Sequence, residues 1–274
     1  MHDSVNTDTE HHTAAIIGAG VYGTALGNVM ISKGHTVRYY DKFNEQFNQF
    51  PLSEVLADVD VIVLSIPSQA VPDFLDEFPR EFCHLPFISA TKGILDPAVF
   101  DVFVNFSVLS GPGFAEKIEQ KIPTTLTSTS LLASDLLATD WMTIEFTTDT
   151  RGIMTCGTLG GIYPIGAGLQ HLQPDTPEFD SYIRLALKEM KQAIQILGGH
   201  PDTADFACGI GDLVLKCGSS LSRNFQFGLC LARDPECWPQ VTTEGLNALL
   251  ALPPELKELP LIHAILQKIK AHEP

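Results

Sequence analysis

The chain is short of positive charge: 17 lysines and arginines stand against 33 aspartates and glutamates, for a formal net charge of −16 over 274 residues. Such a field repels nucleic-acid phosphates and anionic membrane surfaces, so neither is expected as a partner. It also repels phosphorylated metabolites, and any such ligand needs a local cluster of cations and backbone N–H groups. Long apolar runs are missing as well. Met1 to Thr13 is polar and acidic, and no later stretch approaches the ~20 continuous apolar residues of a spanning helix. A cytoplasmic protein without membrane insertion is expected. The six cysteines (Cys83, Cys156, Cys208, Cys217, Cys230 and Cys237) include no C-x-x-C pair and no Cys/His cluster at zinc spacing. No metal site is therefore expected, and the thiols read as buried and reduced. Internal repeats, low-complexity tracts and long linkers are also absent.

What is present is a 45% hydrophobic content, enough to bury a sizeable core in one large or two modest domains. Past a tail over 1–13, short apolar runs alternate with helical stretches, the pattern of an α/β fold with a parallel sheet. Strands are predicted at Ala14–Ile17, Val37–Tyr40 and Val59–Ile66, the last apolar enough to be buried on both faces. Further strands are expected at Pro86–Ala90, Ser107–Leu109, Thr124–Ser128 and Thr143–Phe146. A helix over Tyr22–Lys33 ends at Gly34. After Asp149 helical periodicity takes over, which predicts a dinucleotide-binding domain over 14–149 and an all-helical C-terminal domain over 150–274. Phe179, Tyr182, Ile183, Ala186, Met190, Ile194 and Leu197 mark an amphipathic helix stopped by Gly198 and Gly199. Leu256, Leu259, Ile262, Leu266 and Ile269 mark a final helix behind Pro253 and Pro254, able to pack on the body or on a second subunit of a homodimer.

Gly18-Ala19-Gly20-Val21-Tyr22-Gly23 follows the first strand and opens the first helix, the context in which G-x-G-x-x-G has a physical meaning. Gly18 permits the tight turn, Gly20 lets a pyrophosphate approach the backbone, and Gly23 lets helix and strand pack closely. The free N–H groups of the helix N-terminus, at Val21 and Tyr22, face the phosphates. Asp41, at the end of the second strand, is placed to accept hydrogen bonds from the adenosine ribose and to repel a 2′-phosphate. NAD(H) is thus favoured, with NADP(H) still open because Arg38 and Lys42 lie close by.

Three later segments extend the pattern: Ser89-Ala90-Thr91-Lys92-Gly93, Ser110-Gly111-Pro112-Gly113-Phe114-Ala115, and Gly209-Ile210-Gly211-Asp212-Leu213 leading to Ser222-Arg223-Asn224. With Ser65-Ile66-Pro67-Ser68-Gln69-Ala70 and Thr243-Glu244-Gly245, they make the chain, from Ala15 to about Lys268, resemble the NAD(P)-dependent glycerol-3-phosphate dehydrogenases. That resemblance implies reduction of dihydroxyacetone phosphate to glycerol 3-phosphate for glycerophospholipid synthesis. It places Lys92 beside nicotinamide and substrate, Gly111 and Gly113 around the substrate, and Pro67 and Ala115 along the cofactor. Asp212 matches an active-site aspartate, Ser222, Arg223 and Asn224 the substrate-phosphate site with Arg223 also near the cofactor, and Glu244 a cofactor-contacting glutamate. An arginine fork with neutral donors beside it is the local phosphate site that so acidic a chain requires.

One departure is chemical. The family carries a lysine in a Gly-Ala-Leu-Lys-Asn pattern on the first helix of its second domain, where it exchanges a proton with the substrate oxygen. Here the stretch reads Gly157-Thr158-Leu159-Gly160-Gly161, and a later family arginine is matched by Leu185 with Arg184 alongside. Lys216 stands where the resembling enzymes carry threonine, four residues after Asp212 and on the same helix face. Two readings of Lys216 stand: an ordinary Asp–Lys helix pair, or a lysine that reaches the volume vacated at Gly160 and acts as general acid in place of the absent one. The alternatives for function are a catalytically impaired NAD- and phosphate-metabolite-binding regulatory protein, or a dehydrogenase of another small anionic keto compound. The chain is also shorter than typical members between Asp41 and Ser53 and between Ile94 and Ser107.

Overall fold

A computed structural model describes residues 10–234 and 243–271. The sheet strands are β1 (Thr13–Ile17), β2 (Thr36–Tyr40), β3 (Val61–Leu64), β4 (Pro86–Ser89), β5 (Asn105–Ser110), β6 (Thr124–Ser128) and β7 (Met142–Phe146). They form one seven-stranded sheet in the order β2-β1-β3-β4-β5-β6-β7. The helices among them are α1 (Val21–Ser32), α2 (Leu52–Leu56), α3 (Val71–Glu77), α4 (Ala115–Glu119) and α5 (Leu132–Leu137). The helices that follow are α6 (Thr150–Leu169), α7 (Pro177–Ile196), α8 (Asp212–Cys217), α9 (Arg223–Arg233), α10 (Glu244–Ala251), α11 (Pro254–Lys257) and α12 (Pro260–Lys270).

All predicted strands form, but the sheet is not wholly parallel. β5 pairs with β6 antiparallel, and β6 pairs with β7 parallel, so the last two strands run against the other five. The cause is the connection after β5. A parallel crossover must carry the chain back along a strand roughly 20 Å long. The five residues of α4 advance only about 7 Å. β6 therefore starts past the end of β5, where Thr124 Oγ1 donates to the Pro112 carbonyl at 2.7 Å, and runs back until Thr127 and Ser128 pair with Ser110 and Leu109.

Alternation along β1 splits the core across the sheet. Ala14 and Ile16 pack with Leu26, Met30, Val61 and Val63 on the α1 side. Ala15 and Ile17 pack with Ile62, Leu64 and Phe87 on the other, and that cluster continues into Ile153, Leu159 and Ile162 of α6. The sheet is thus covered on both faces, as a parallel sheet of apolar strands requires.

α6 is the central helix of the second half and is buried along nearly its whole length. The Asp149 carboxylate fixes its start, accepting hydrogen bonds from Gly152 N (2.9 Å), His200 N (2.8 Å) and Thr203 Oγ1 (2.6 Å). α9 crosses α6 at Gly168 and Gly228, where a Cβ on either would run into the other helix's backbone. α7 opens on Thr176, whose hydroxyl accepts from Phe179 N at 3.2 Å, and ends at Gly198 with φ +79°.

Two further expectations need correction. The final helix is broken: Leu259 is extended, and Pro260, which lacks an N–H, starts α12 as a new helix. The apolar stripe Ile262, Ile265, Leu266 and Ile269 is buried on α6 and α7, so it is covered within the chain. The thiols of Cys83, Cys156, Cys208 and Cys217 are free, as expected, but Cys230 is disulfide-bonded. Cys237 lies outside the described residues.

Candidate active site

The glycine loop joins β1 to α1. Gly18 takes φ +95°, and a Cβ there would collide with Ser65 of the loop after β3. A Cβ on Gly20 would meet nothing within 4 Å, so open space lies over the loop where a pyrophosphate would sit. A Cβ on Gly23 would strike the Gly18 carbonyl, which explains why helix and loop can lie so close. The Asp41 carboxylate reaches back from the end of β2 and accepts from Ala19 N and from Phe43 N, each at 3.0 Å. These residues fit the adenosine and pyrophosphate portions of a dinucleotide.

The two cations beside Asp41 both point elsewhere. Lys42 is paired with Glu77 of α3, at 2.7 and 2.8 Å to the two carboxylate oxygens. Arg38 donates to the carbonyls of Val55 and Ala57. Pro67, exposed, opens a 3₁₀ turn at Ser68–Ala70, and Ala115 is the buried first residue of α4.

The polar centre lies between the sheet and α6. Asp212 leaves a π-helical turn over Ala207–Gly211 as the first residue of α8 and is completely buried. Turns of this kind are rare and concentrate at functional sites. One oxygen of its carboxylate, Oδ2, accepts from Lys92 Nζ at 2.9 Å and from Lys216 Nζ at 2.8 Å. The other, Oδ1, has no partner among the described residues, nor does the buried hydroxyl of Ser110. Lys92 also donates to the Gly111 carbonyl at 3.1 Å. Tyr22, the second residue of α1, lies beside this cluster, and a Cβ on Gly113 would stand 3.3 Å from its hydroxyl.

Burying a carboxylate alone costs several kcal/mol, so ammonium partners are required at Asp212. The two partners differ. Burial works against the charge of Lys92, but Asp212 and then Tyr22 outweigh it and hold its pKa above the ordinary lysine value. For Lys216, burial dominates, Asp212 opposes it, and neighbouring Lys92 adds repulsion, bringing the pKa down to about 8. Burial also raises the Tyr22 phenol.

α6 presents glycines to this cluster. A Cβ on Gly160 would stand 2.9 Å from Asp212 Oδ2, and one on Gly157 would stand 3.0 Å from Ser110 Oγ. The next residue, Gly161, faces Gly245 of α10 and the Asn224 amide. Asn224 Oδ1 accepts from Gly245 N at 3.1 Å, tying the start of α9 to the start of α10. Ser222 caps α9 by accepting from Phe225 N at 3.3 Å. Arg223 is exposed in the first turn of α9 and makes no hydrogen bond or ion pair among the described residues. Glu244 opens α10 beside them. Two neighbouring residues of α6 thus touch both the Asp212 cluster and the Asn224 corner. Leu185 and Arg184 stay outside: Leu185 is exposed, and Arg184 donates to Ser181 at 3.0 Å.

Sequence spacing could pair Asp212 with Lys216 but gave no role to Ser110, whose unpartnered hydroxyl marks it as a site residue. The signal available was its place in Ser110-Gly111-Pro112-Gly113. Among the described residues no group of three or more His, Cys, Asp or Glu side chains is arranged to hold a metal ion. No described helix is long and apolar enough to cross a membrane.

Known proteins resemble this chain in both of its halves. The family description "NAD-dependent glycerol-3-phosphate dehydrogenase N-terminus" matches residues 48–134, and the corresponding C-terminus description matches 149–271. A glycerol-3-phosphate dehydrogenase [NAD(P)+] of Acaryochloris marina is 33% identical over 258 residues, covering 85% of this chain and 81% of the relative. The chain belongs to the NAD(P)-dependent glycerol-3-phosphate dehydrogenase family. The same enzyme of a Ruegeria species is 30% identical, over 94% of this chain and 92% of its own. Among solved structures, the glycerol-3-phosphate dehydrogenase of Coxiella burnetii superposes with a TM-score of 0.80 at 24% identity, covering 96% of each chain. That of Saccharomyces cerevisiae gives 0.77 at 18%, covering 97% of each. These two establish the dehydrogenase fold, a mostly parallel sheet region followed by helices. The glycine loop at 18–23 precedes both matched segments, so its assignment stands on its own geometry.

Proposed function

We propose that the protein reduces dihydroxyacetone phosphate to sn-glycerol 3-phosphate with NADH, in the cytoplasm, supplying glycerophospholipid synthesis. The observation that carries this reading is the buried Asp212 carboxylate shared by Lys92 and Lys216, beside Tyr22 of the glycine-loop helix. With both lysines charged, the cluster holds one net positive charge inside a chain of net −16, the local field an anionic ketone needs. Residues 14–149 serve the cofactor and 150–274 the substrate.

Gly18, Gly20, Val21, Tyr22 and Gly23 hold the pyrophosphate through backbone N–H groups at the start of α1. Asp41 takes the ribose hydroxyls, and Pro67, Lys92, Ala115, Arg223 and Glu244 line the rest of the cofactor's path. Lys42 and Arg38, the two cations nearest Asp41 in the sequence, are committed elsewhere, which supports NADH over NADPH. When bound, the dihydronicotinamide supplies a hydride to C2 of the ketone.

The chain's own residues do the rest. Lys92, anchored to Gly111 O and Asp212, draws negative charge onto the carbonyl oxygen. Arg223 forks onto the phosphate at the N-terminus of α9, with Ser222 and Asn224 as neutral donors. Gly111 and Gly113 offer backbone around the substrate. An ammonium at Asp212 donates the proton. Loss of NADH absorbance on adding dihydroxyacetone phosphate, with NADH binding followed by fluorescence, tests this. Binding without turnover rejects it.

A further inference from the structure

Two ammonium groups meet on one carboxylate oxygen, and they are held differently. Lys92 has two acceptors, Gly111 O and Asp212 Oδ2, whereas Lys216 has Asp212 Oδ2 alone. Lys216 is fixed by its own helix, one turn after Asp212, and its side chain keeps 15% of its surface open. On α6, Gly157 and Gly160 present no side chain to the cluster. A Cβ on Gly160 and the Lys216 ammonium approach the same oxygen, at 2.9 and 2.8 Å. The ammonium therefore lies within reach of one side chain from Gly160.

We propose that Lys216, reaching in from α8, is the general acid of the reduction, and that Lys92 is a fixed cation that keeps its proton. The inference rests on the reading of the reaction given above and says which lysine moves the proton. As hydride bonds to C2, the carbonyl π electrons pass to oxygen, and that oxygen takes a proton from Lys216 Nζ. Lys216 is left as a neutral amine and regains a proton from water through its exposed edge. The sum is ketone, NADH and one proton giving alcohol and NAD⁺.

The electrostatics divide the work in the same way. A general acid acts best with a pKa near the working pH. Lys216, near 8, meets that condition, and Lys92, pushed upward, does not. Neighbouring titratable groups whose pKa values are driven apart are the usual mark of an acid and a fixed charge. The groups facing Lys216 are Asp212 and Cys217 from α8 and Lys92 from the loop after β4, with Tyr22 of α1 next to Lys92 and Asp212. Gly157 and Gly160 of α6 add none.

The test compares wild type with Lys216→Met, which keeps the apolar stem while Asp212 keeps Lys92 as its partner. In the direction of ketone reduction, wild-type kcat/KM should fall as pH rises through about 8, because the acid is then lost. Lys216→Met should lower kcat by ~10²- to 10⁴-fold, change KM little, and abolish that limb. Lys92→Met should lower the rate and keep the limb, moved to higher pH because the repulsion from Lys92 is gone. Independently of turnover, the Cε resonance of Lys216 in ligand-free protein, assigned by its loss in Lys216→Met, should titrate near 8. Active wild type with an unaltered rate and pH profile in Lys216→Met overturns the proposal and leaves the reaction standing. So does titration of Lys216 in the ordinary lysine range. Wild type inactive toward dihydroxyacetone phosphate overturns the reading of the reaction, and the proposal with it.

Discussion

Gly160 and Asp212 face each other so closely that a Cβ on Gly160 would stand 2.9 Å from Oδ2, the oxygen shared by both lysines. Any side chain at 160 must push that carboxylate aside. Gly160→Ala should therefore cost turnover although alanine favours the helix by about 1 kcal/mol. A kcat decrease of roughly tenfold with thermal stability kept or raised is expected. Full activity in Gly160→Ala would show that Asp212 can yield without loss.

The same contact makes positions 160 and 216 non-additive. Lysine at 160 in the wild-type background crowds a third ammonium onto Asp212, beside Lys92 and Lys216, and Lys216→Thr alone removes the acid. Combined, Gly160→Lys and Lys216→Thr place a single acid at Asp212 again, from α6. The double variant should be at least tenfold more active than the product of the single effects predicts, a coupling of about 1.4 kcal/mol or more. Simple additivity in kcat/KM refutes a shared volume.

Arg223 is exposed at the start of α9 and makes no hydrogen bond or ion pair among the described residues, on an otherwise acidic molecule. A charge-assisted contact to phosphate contributes about 1.5–3 kcal/mol. Arg223→Ala should thus raise KM for dihydroxyacetone phosphate by roughly ten- to a hundredfold, while activity on unphosphorylated dihydroxyacetone at saturating NADH, however low, falls far less. Equal losses on both ketones would take Arg223 out of the phosphate site.

How much of this was legible beforehand follows the range of the forces involved. Strands such as Val61–Leu64 announce themselves because burial on both faces needs a continuous apolar run. The reversal of β6 does not, since it depends on how far the short α4 carries the chain. Asp212 and Lys216 pair within one helix and could be read from their spacing. That Lys92 shares the same oxygen could not, because 120 residues separate it from Asp212. The diversion of Lys42 to Glu77 and of Arg38 to the Ala57 carbonyl was equally hidden, since each depends on a partner brought near by folding. The π-helical turn before Asp212 is written in Ala207-Cys208-Gly209-Ile210-Gly211, which carries no local signature of that geometry.

Those diverted cations bear on cofactor choice. With Asp41 aimed at the glycine loop and Lys42 held by Glu77, the wild type should prefer NADH over NADPH in kcat/KM. Asp41→Ser removes the charge that repels a 2′-phosphate, and Glu77→Ala releases Lys42. The Lys42–Glu77 pair is solvent-exposed, so breaking it should change stability little. Together the two changes should shift the NADH/NADPH ratio toward NADPH by tenfold or more, each contributing in that direction. A ratio that does not move places the adenosine elsewhere.

Asp149 offers a test of the fold apart from chemistry. Its buried carboxylate caps α6 through Gly152 N and holds the segment after α7 through His200 N and Thr203 Oγ1. Asp149→Ala removes all three acceptor contacts and leaves buried donors unpaired, at a cost of about 3 kcal/mol. Asp149→Asn keeps an acceptor for the cap and should lose less than half of that. Urea unfolding should show a lower midpoint for alanine than for asparagine at an unchanged slope. Because α6 supplies both Gly160 and Gly161 to the site, the alanine variant should also lose activity at temperatures where the asparagine variant retains it. If both variants unfold at the wild-type midpoint, this carboxylate does not fix the position of α6.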